Sequence, residues 1–319
     1  MRPPYSITPE ILRSVASISR KLGEVHAAHL SLPSAQLRKD NRIRTIQSTL
    51  EIEGNTLGPE QVTALLEGAR VAAPAKDLME VKNAIAVYDG LHRLKARSEK
   101  DLLKAHADLM RGLVKTPGRY RSSGVGIMKG QRLAHLPPAG DRVAGLMHDL
   151  FDYVKKDDDI ALIKSCVFHY ELEFIHPFQD GNGRMGRLWQ TVILMEHHVV
   201  FAYLPVEALV RAKQRAYYKA LSDSDKSGSS TPFITFMLEQ IDGALEELLA
   251  SSNRLLEPND RLLDFKAHIG DRHFSRKDYL RFFKHISMAT AGRDLKLGVE
   301  RKLLKRQGEK RMAVYTFKD

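Results

Sequence analysis

The sequence predicts a mainly α-helical protein with one short β-hairpin and a small C-terminal module of helices and a strand. Three observations predict this fold class. Apolar residues recur at three- and four-residue spacing along much of the chain up to residue 256. Glycine and proline crowd together between Thr116 and Gly140, around short β-prone pieces. The tail after residue 260 has its own helix caps and a final apolar stretch.

The composition is that of a globular protein. A length of 319 residues favours about two domains, and 43% hydrophobic residues are enough to bury a core. The single cysteine, Cys166, excludes an internal disulfide and a Cys-rich zinc site. The N-terminus lacks the pattern of a signal peptide, and no stretch reaches the ~18 apolar residues that a bilayer span needs. We therefore expect a soluble, cytoplasmic protein with no membrane contact.

Helices are predicted along most of the first 256 residues. Thr8 can cap a first helix that has Pro9 at its first position. A second helix is predicted from about Asp40 to Glu53, ending at Gly54 and Asn55, which accept a left-handed conformation. The remaining predicted helices are Pro59–Ala72, Asp77–Ala96, Glu99–Gly112, Asp141–Val154, Asp159–Phe174, Arg184–His198, Val206–Ser222 and Thr231–Leu256.

The segment between Thr116 and Gly140 predicts a surface hairpin, or flap. Its two strands are expected at Val125–Met128 and Leu133–Leu136. On sequence alone, an ordinary surface hairpin and a functional flap are equally good interpretations.

The basic tail forms a predicted domain of its own. Residues 261–319 contain 16 Lys/Arg and 7 Asp/Glu, a net charge of +9, out of +11 for the whole chain. Residues 257–260 are predicted to be a linker before the tail. The predicted domains are N-terminal helices (1–80), a core (81–257) and the tail (261–319). Ser275 and Ser287 can cap two helices, the first through Lys284 and the second through about Leu304, and a strand is expected at 312–317 after a turn at 308–310. This order resembles a winged helix. The charge fits DNA binding, a protein contact, or a solvated basic face.

The most informative segment runs from His176 to Arg187, with the sequence HPFQDGNGRMGR. A turn rich in glycine precedes a predicted helix, and backbone N–H groups at a helix N-terminus favour anions. Arg184 and Arg187 lie three residues apart on that helix and suit phosphate oxygens. Asp180 is a natural Mg²⁺ ligand beside phosphates, and His176 is a candidate general base. Each feature alone is usually structural, but all of them occur within twelve residues.

This segment resembles the signature of Fic-domain proteins, His-x-Phe-x-[Asp/Glu]-Gly-Asn-Gly-Arg-x-x-Arg, at every fixed position. Flanking residues agree as well: Gly118 to Arg121, Leu136 to Pro138, and Tyr217 with Tyr218. The resemblance extends from about Lys82 to Ile241. It implies a helical Fic core that transfers AMP from ATP to a Tyr, Ser or Thr hydroxyl of a target protein or of the chain itself, and it is compatible with a homodimer.

The resemblance also implies roles for individual residues. His176 would deprotonate the hydroxyl, Asp180 would hold Mg²⁺, and Arg187 would grip the γ-phosphate. The α- and β-phosphates would be held by Gly181, Asn182, Gly183 and Arg184. The adenosine pocket would involve Tyr217, Tyr218 and Asp225, the last at a position that is often Asn in the family. An extended target segment would pair with the flap through Ile127, Met128, Leu133 and His135.

Glu53 has two interpretations. It continues the apolar stripe of Ile43, Ile46 and Leu50, which predicts a buried and therefore paired carboxylate, or it lies in water at the helix end. The segment TLEIEG, residues 49–54, resembles the inhibitory motif of Fic proteins that carry an N-terminal inhibitory helix. This resemblance implies Arg187 as its partner. Two alternatives stay open: Glu53 could align water to remove AMP from modified proteins, or the chain could be a DNA-binding regulator with a nucleotide-sensing core.

Overall fold

The computed structural model describes residues 3–27, 33–123, 127–129, 132–135, 137–252, 258–270, 272–283, 286–308 and 313–318. The prediction of a mainly α-helical fold is confirmed: these residues form fourteen α-helices and two small antiparallel sheets. The chain divides into two compact units, one of residues 1–32 and 41–249 and one of residues 33–40 and 250–319. The finer division at residues 80 and 257 stays a prediction.

The described residues up to 109 form a series of helices. The Thr8 hydroxyl accepts a hydrogen bond from Ile11 N–H at 3.3 Å, so the predicted cap of α1 is present. The predicted helix Pro59–Ala72 ends earlier, because Gly68 adopts the left-handed conformation at φ 78° and stops it. The helices are α1 Pro9–Ala27, α2 Ala35–Ile52, α3 Pro59–Leu66, α4 Ala75–Asp89 and α5 Glu99–Leu109.

The predicted flap is a two-stranded antiparallel hairpin of β1 (Ile127–Lys129) and β2 (Arg132–His135), in which Met128 pairs with Leu133. After it come α6 Gly140–Lys156, α7 Ala161–Ile175, α8 Asn182–His197, α9 Val206–Ala212, α10 Gln214–Ser227 and α11 Thr231–Ser252. The single helix predicted over 206–222 was wrong. Lys213 leaves the helical conformation at φ −113°, ψ 32° and separates α9 from α10.

Helices α7 and α8 form the centre of the first unit. Trp189 on α8 packs against Phe151 and Phe168, with ring centroids 6.2 and 6.4 Å away, and all three side chains are fully buried. Each such ring contributes about 1.5–3 kcal/mol through removal from water. The Trp189 indole N–H also donates to the carbonyl of Ala96 at 3.0 Å. This packing fixes the two helices that flank the turn between residues 176 and 181.

The second unit contains α12 Pro258–Ile269, β3 Phe274–Ser275, α13 Arg276–Phe282, α14 Met288–Glu300, β4 Leu304–Gln307 and β5 Val314–Phe317. Its strands form an antiparallel sheet in the order β3-β5-β4. The predicted caps are present, since the Ser275 and Ser287 hydroxyls accept from the third N–H of α13 and α14. The winged-helix assignment stays a prediction.

Two boundaries in this unit differ from the sequence analysis. Residues 258–260 are not a linker: Pro258 occupies the first position of α12, where its missing N–H costs nothing. The helix predicted through Leu304 ends at Glu300, because Lys302 adopts a left-handed conformation at φ 60° and Leu304 begins a strand. Residue 257 and residues 309–312 of the predicted turn and strand lie outside the described residues.

A buried ion pair lies within the hydrophobic core of the second unit. Arg261 donates to both carboxylate oxygens of Asp294 at 2.6 and 2.7 Å, and the Tyr279 hydroxyl donates to the same carboxylate at 3.2 Å. Because each charge meets its partner in a bidentate arrangement, the cost of burying them is largely offset. Among the described residues of the whole chain, no helix has the length and apolar character needed to cross a membrane.

Candidate active site

The signature segment forms a tight turn between α7 and α8. Helix α7 ends at His176, which adopts the left-handed conformation at φ 49°, ψ 60°. Gly181 adopts φ 87° and precedes the first residue of α8, Asn182. A non-glycine residue pays about 1–2 kcal/mol for this conformation, so the surrounding contacts must hold His176 in place. The result is an imidazole at the end of one helix, close to the amino end of the next.

Arg121 holds the beginning of the turn. Its guanidinium donates to the carbonyls of His176 at 2.7 Å and Ile175 at 3.1 Å, and its backbone N–H donates to Pro177 O at 2.9 Å. Two further bonds reach the carbonyls of Ser123 and Pro138, at 2.8 and 2.7 Å, on the two sides of the flap. Burial lowers the pKa of Arg121. In the sequence, Arg121 stands out only as part of the flanking match Gly118 to Arg121, and no local pattern indicates this clamp.

Asn182 closes the turn with its side chain. The Asn182 amide oxygen accepts from Phe178 N–H, and the amide nitrogen donates to Phe178 O, both at 2.9 Å. This side chain is buried and already bonded. What Asn182 can offer an anion is therefore its backbone N–H, together with that of Gly183, whereas the Gly181 N–H donates to Asp180 Oδ1.

His106 stabilises the turn by stacking on one of its residues and bonding to another. Its ring stacks on Phe178 with centroids 3.7 Å apart and an interplanar angle of 7°. Gly118 N–H donates to Nδ1 at 2.8 Å, so the ring proton lies on Nε2, which donates to the carbonyl of Asp180 at 3.0 Å. Burial lowers the pKa of His106 to about 4, which keeps the ring neutral. Sequence analysis missed His106, because a histidine on the apolar face of α5 looks like an ordinary core residue.

Asp180 presents a half-exposed carboxylate, with 52% of the side chain accessible, at the amino end of α8. Its Oδ1 accepts from Gly181 N–H at 2.6 Å and from Arg184 Nη2 at 3.2 Å. Its second oxygen, Oδ2, has no bonded partner among the described residues. An accessible carboxylate oxygen beside an anion-binding helix end fits Mg²⁺, which typically takes one or two carboxylates together with phosphate oxygens.

Arg184 is buried and lies between two carboxylates. Its Nη1 donates to Glu80 Oε1 on α4 at 3.0 Å, and its Nη2 faces Asp180 Oδ1. Glu80 lies outside the motif and was not singled out by sequence analysis. Because its partner is 104 residues away, no local pattern in the sequence could reveal it.

Arg187 is 2% exposed and faces the end of α2. Its Nη2 donates to Glu53 Oε1 at 2.6 Å and to Thr49 O at 3.1 Å, and its Nε donates to the Thr49 hydroxyl at 2.9 Å. Burial works against the positive charge, but the Glu53 carboxylate reverses that effect, so the net pKa of Arg187 is raised. A Cβ at Gly183 would lie 2.5 Å from Glu53 Oε1, so a larger residue there would require the Glu53 carboxylate to shift. The structure thus brings Glu53, Gly183 and Arg187 together.

The two tyrosines on α10 differ in exposure. Tyr217 is buried, and its hydroxyl lies 3.1 Å from His169 Nε2 and 3.2 Å from Glu173 Oε1. Burial lowers the pKa of His169 to about 3, so this ring is neutral. Tyr218 is 41% exposed and can contact a ligand directly. Asp225, two turns further along the same helix, accepts from the Tyr170 hydroxyl at 3.0 Å.

The predicted target-binding residues lie on the flap strands. Ile127 and Met128 are in β1, and Leu133 and His135 are in β2, where Ile127 pairs with His135. Their side chains are outside what the structure describes. Target binding through this flap stays a prediction.

Comparisons with known proteins agree on one family. The Fic/DOC family model matches residues 96–194, which include the whole signature turn. A Fic family protein from Desulfovibrio desulfuricans G20 has a crystal structure that is 40% identical, with a TM-score of 0.77 over 100% of this chain and 98% of that chain. The C. elegans Fic-1 structure (residues 134–508) is 22% identical with a TM-score of 0.60, which indicates a shared fold.

Curated relatives are more distant. Protein adenylyltransferase Fic from Nematostella vectensis is 28% identical over 255 residues, which cover 76% of this chain and 56% of that protein. Protein adenylyltransferase fic-1 from Caenorhabditis elegans is 25% identical over 275 residues, 81% of this chain and 51% of that protein. The chain therefore spans about half the length of the curated relatives it matches.

Proposed function

Since the chain belongs to the Fic family, we propose that it is a self-inhibited protein adenylyltransferase, which transfers AMP from ATP to a Tyr, Ser or Thr hydroxyl. The acceptor is a target protein or the chain itself. One observation carries the proposal: a single turn places His176 beside the N-terminus of α8, while Glu53 occupies Arg187 on that same helix.

The chemistry follows from the positions of these groups. His176 accepts the proton of the attacking hydroxyl as the new bond between oxygen and the α-phosphorus forms. The bond from the α-phosphorus to pyrophosphate breaks, and pyrophosphate leaves. The backbone N–H groups of Asn182 and Gly183 would face the phosphates at the positive end of α8, and that of Gly181, which donates to Asp180, lies beside them. Asp180 would hold Mg²⁺, which neutralises phosphate charge when bound. Positioning and charge stabilisation then supply most of the rate.

The contact between Glu53 and Arg187 supports inhibition. Arg187 Nε and Nη2 already donate to Thr49 and Glu53, and only Nη1 has no bonded partner among the described residues, so the two adjacent nitrogens that a bidentate γ-phosphate contact needs are not both available. ATP would then bind without its terminal phosphate fixed, so the α-phosphorus would not be aligned for attack. Release of α2 from Arg187 would activate the enzyme.

The test is intact-protein mass spectrometry of the full chain and of its Glu53→Gly variant, incubated with Mg²⁺ and each nucleoside triphosphate separately. We expect a mass gain of one AMP with ATP, and peptide mapping then gives the acceptor hydroxyl. The phosphate-binding turn contacts no base, so comparison of the four triphosphates identifies the donor. No nucleotide transfer from any triphosphate in either protein would refute the proposal.

The second unit supports a separate contact with duplex DNA. Lys305 and Arg306 on β4 and Arg293 and Lys296 on α14 are all exposed, and Asp294 between them is buried against Arg261. Cations on adjoining elements suit a phosphate backbone. We infer that exposed cations of this unit bind DNA through its phosphates.

Binding of the full chain to a labelled duplex at 50–200 mM salt tests this second proposal. About three to five phosphate contacts give a slope of log K against log salt of about −3 to −5. Exchange of Arg293 and Arg306 for glutamate should weaken binding at least tenfold, whereas Arg13→Glu, on an exposed face of α1, should not. A salt-insensitive interaction, or an equal loss in the control, would contradict it.

A further inference from the structure

Glu80 joins three parts of the chain in one buried network. Its Oε1 accepts from Arg184 Nη1 at 3.0 Å, and its Oε2 accepts from the Asn55 side-chain amide at 2.8 Å. Glu80, Asn55 and Arg184 are all buried. The exposed Lys76 ammonium lies at the limit of ion-pair distance, 4.0 Å from Oε1. Burial of a carboxylate costs free energy unless the charge is paired and hydrogen-bonded. The cost of burying Glu80 therefore suggests that its contacts with Arg184 and Asn55 have a function.

Arg184 lies between two carboxylates of different exposure. Glu80 is buried, whereas the Asp180 side chain is 52% accessible. The separation is 3.0 Å to Glu80 and 3.2 Å to Asp180. If Glu80 lost its charge, Asp180 would be the only ionic partner of this buried guanidinium among the described residues. The pair would tighten and compete with a cation for the Asp180 carboxylate.

Asn55 fixes the orientation of Glu80. Its amide nitrogen donates to Glu80 Oε2 and also to Asp77 O at 3.2 Å, and its amide oxygen accepts from Leu57 N–H at 3.0 Å. Asn55 lies two residues after Glu53, in the turn that ends α2. The position of Glu80 therefore depends on the same turn that carries the proposed inhibitory glutamate.

We propose that Glu80 is a positioning residue that engages Arg184 Nη1 and so limits Arg184 to its single contact with Asp180 Oδ1, which leaves Asp180 Oδ2 open to Mg²⁺, and that Asn55 keeps Glu80 in place. This inference rests on the proposed use of Mg²⁺ with ATP. Residues of α4 and of the turn after α2, both outside the signature, would then keep the Asp180 carboxylate available to the metal.

The test measures metal binding directly. Mn²⁺, in the presence of the non-transferable analogue α,β-methylene-ATP, is titrated by electron paramagnetic resonance into Glu53→Gly protein with and without Glu80→Gln. We expect Glu80→Gln to weaken Mn²⁺ binding about tenfold, the scale of the loss of an outer-shell partner. In transfer assays, the Mg²⁺ concentration for half-maximal rate should rise to a similar extent, while the rate at saturating Mg²⁺ changes less than twofold.

Asp77→Asn is the matched control. Asp77 lies one turn before Glu80 on α4 and accepts from the N–H and hydroxyl of Thr56 at 3.0 and 2.6 Å, in the same turn, but does not contact Arg184. It removes the same charge but leaves the Asn55–Glu80 bond and the Glu80–Arg184 pair in place, so its Mn²⁺ affinity should stay within twofold. Equal weakening in Asp77→Asn would show a general effect of charge or stability and would overturn the proposal.

Glu80→Asp provides a second variant in case Glu80→Gln does not fold, which circular dichroism would reveal. Aspartate keeps the charge but is one methylene shorter, so its Mn²⁺ affinity should be lower than that of the parent and higher than that of Glu80→Gln. Unchanged affinity in either variant, or a parent that does not bind Mn²⁺ with the analogue, overturns the inference. Normal Mn²⁺ behaviour without AMP transfer would refute only the proposed function.

Discussion

Replacement of Glu53 by glycine is expected to raise self-modification with ATP and Mg²⁺ about ten- to a hundredfold. The structure gives the reason: the Glu53 carboxylate lies 2.6 Å from a buried guanidinium that donates its other bonds to Thr49. A hydrogen bond between charged groups is worth about 1.5–3 kcal/mol, and 1.4 kcal/mol is a factor of ten. Without the carboxylate, Arg187 keeps its place on α8 and becomes available to a γ-phosphate.

Glu51→Gly is the matched control for this variant. Glu51 lies on the last turn of α2, bonds to Arg211 and Gln47, and does not contact Arg187. Both variants place a glycine near the same helix end, so both loosen it to a similar degree. Modification is followed by intact mass over time. If Glu51→Gly activates as strongly, then loosening of α2 explains the effect, and the carboxylate does not.

The Glu53→Gly variant also separates transfer from removal of AMP. If Glu53 aligned water to remove AMP, its loss would also increase the labelled fraction, because removal would stop. A chase of pre-labelled wild-type protein with unlabelled ATP distinguishes the two cases. A stable label in the wild type supports inhibition, whereas a label that disappears only when Glu53 is present supports removal.

Replacement of His176 by alanine is expected to lower transfer about 10²–10⁴-fold in the Glu53→Gly background. The imidazole is the proposed proton acceptor for the attacking hydroxyl, whereas the proposed contacts to the phosphates come from the amino end of α8. Binding of a fluorescent ATP analogue should therefore change less than twofold. Transfer is measured by mass spectrometry, and His148→Ala, on the exposed face of α6, should retain full activity.

His176→Asn controls for the backbone conformation at this position. His176 adopts φ 49°, and asparagine accepts the left-handed region more readily than alanine does. Asparagine therefore preserves the turn but cannot accept the proton. Loss of transfer in both variants with intact nucleotide binding supports His176 as the base. Persistent labelling in the asparagine variant would reject that role.

Local patterns allowed the fold and the signature turn to be predicted. The caps at Thr8, Ser275 and Ser287 and the glycines of the turn depend on residues a few positions apart, which a sequence displays directly. The helical start at Pro258 had the same kind of signal, since proline at the first helical position is favourable. The interpretation of residues 257–260 as a linker missed this signal. Cytoplasmic location and a homodimer stay predictions.

The supports of the candidate site were not predictable, because their partners are distant in the sequence. Arg121 bonds to a carbonyl 55 residues away, and His106 to one 74 residues away. In both contacts the accepting atom is a backbone carbonyl oxygen. Every residue has such an oxygen, so the sequence does not reveal which one is used. Glu80 has an ionic partner, but many glutamates and arginines in this chain could have paired. Tertiary packing, and not the local sequence, selects the pairs that form.

The Arg121 clamp has a consequence for acceptor choice. One guanidinium joins both stems of the flap, at Ser123 and Pro138, to the peptide that carries His176. The position of a target strand added to β1 or β2 would thus be set relative to the backbone of His176. Register along that strand, more than the identity of neighbouring side chains, would then decide which hydroxyl is modified. If the acceptor hydroxyl is moved by one residue along a bound peptide, it would lie on the opposite face of the strand and would not be modified.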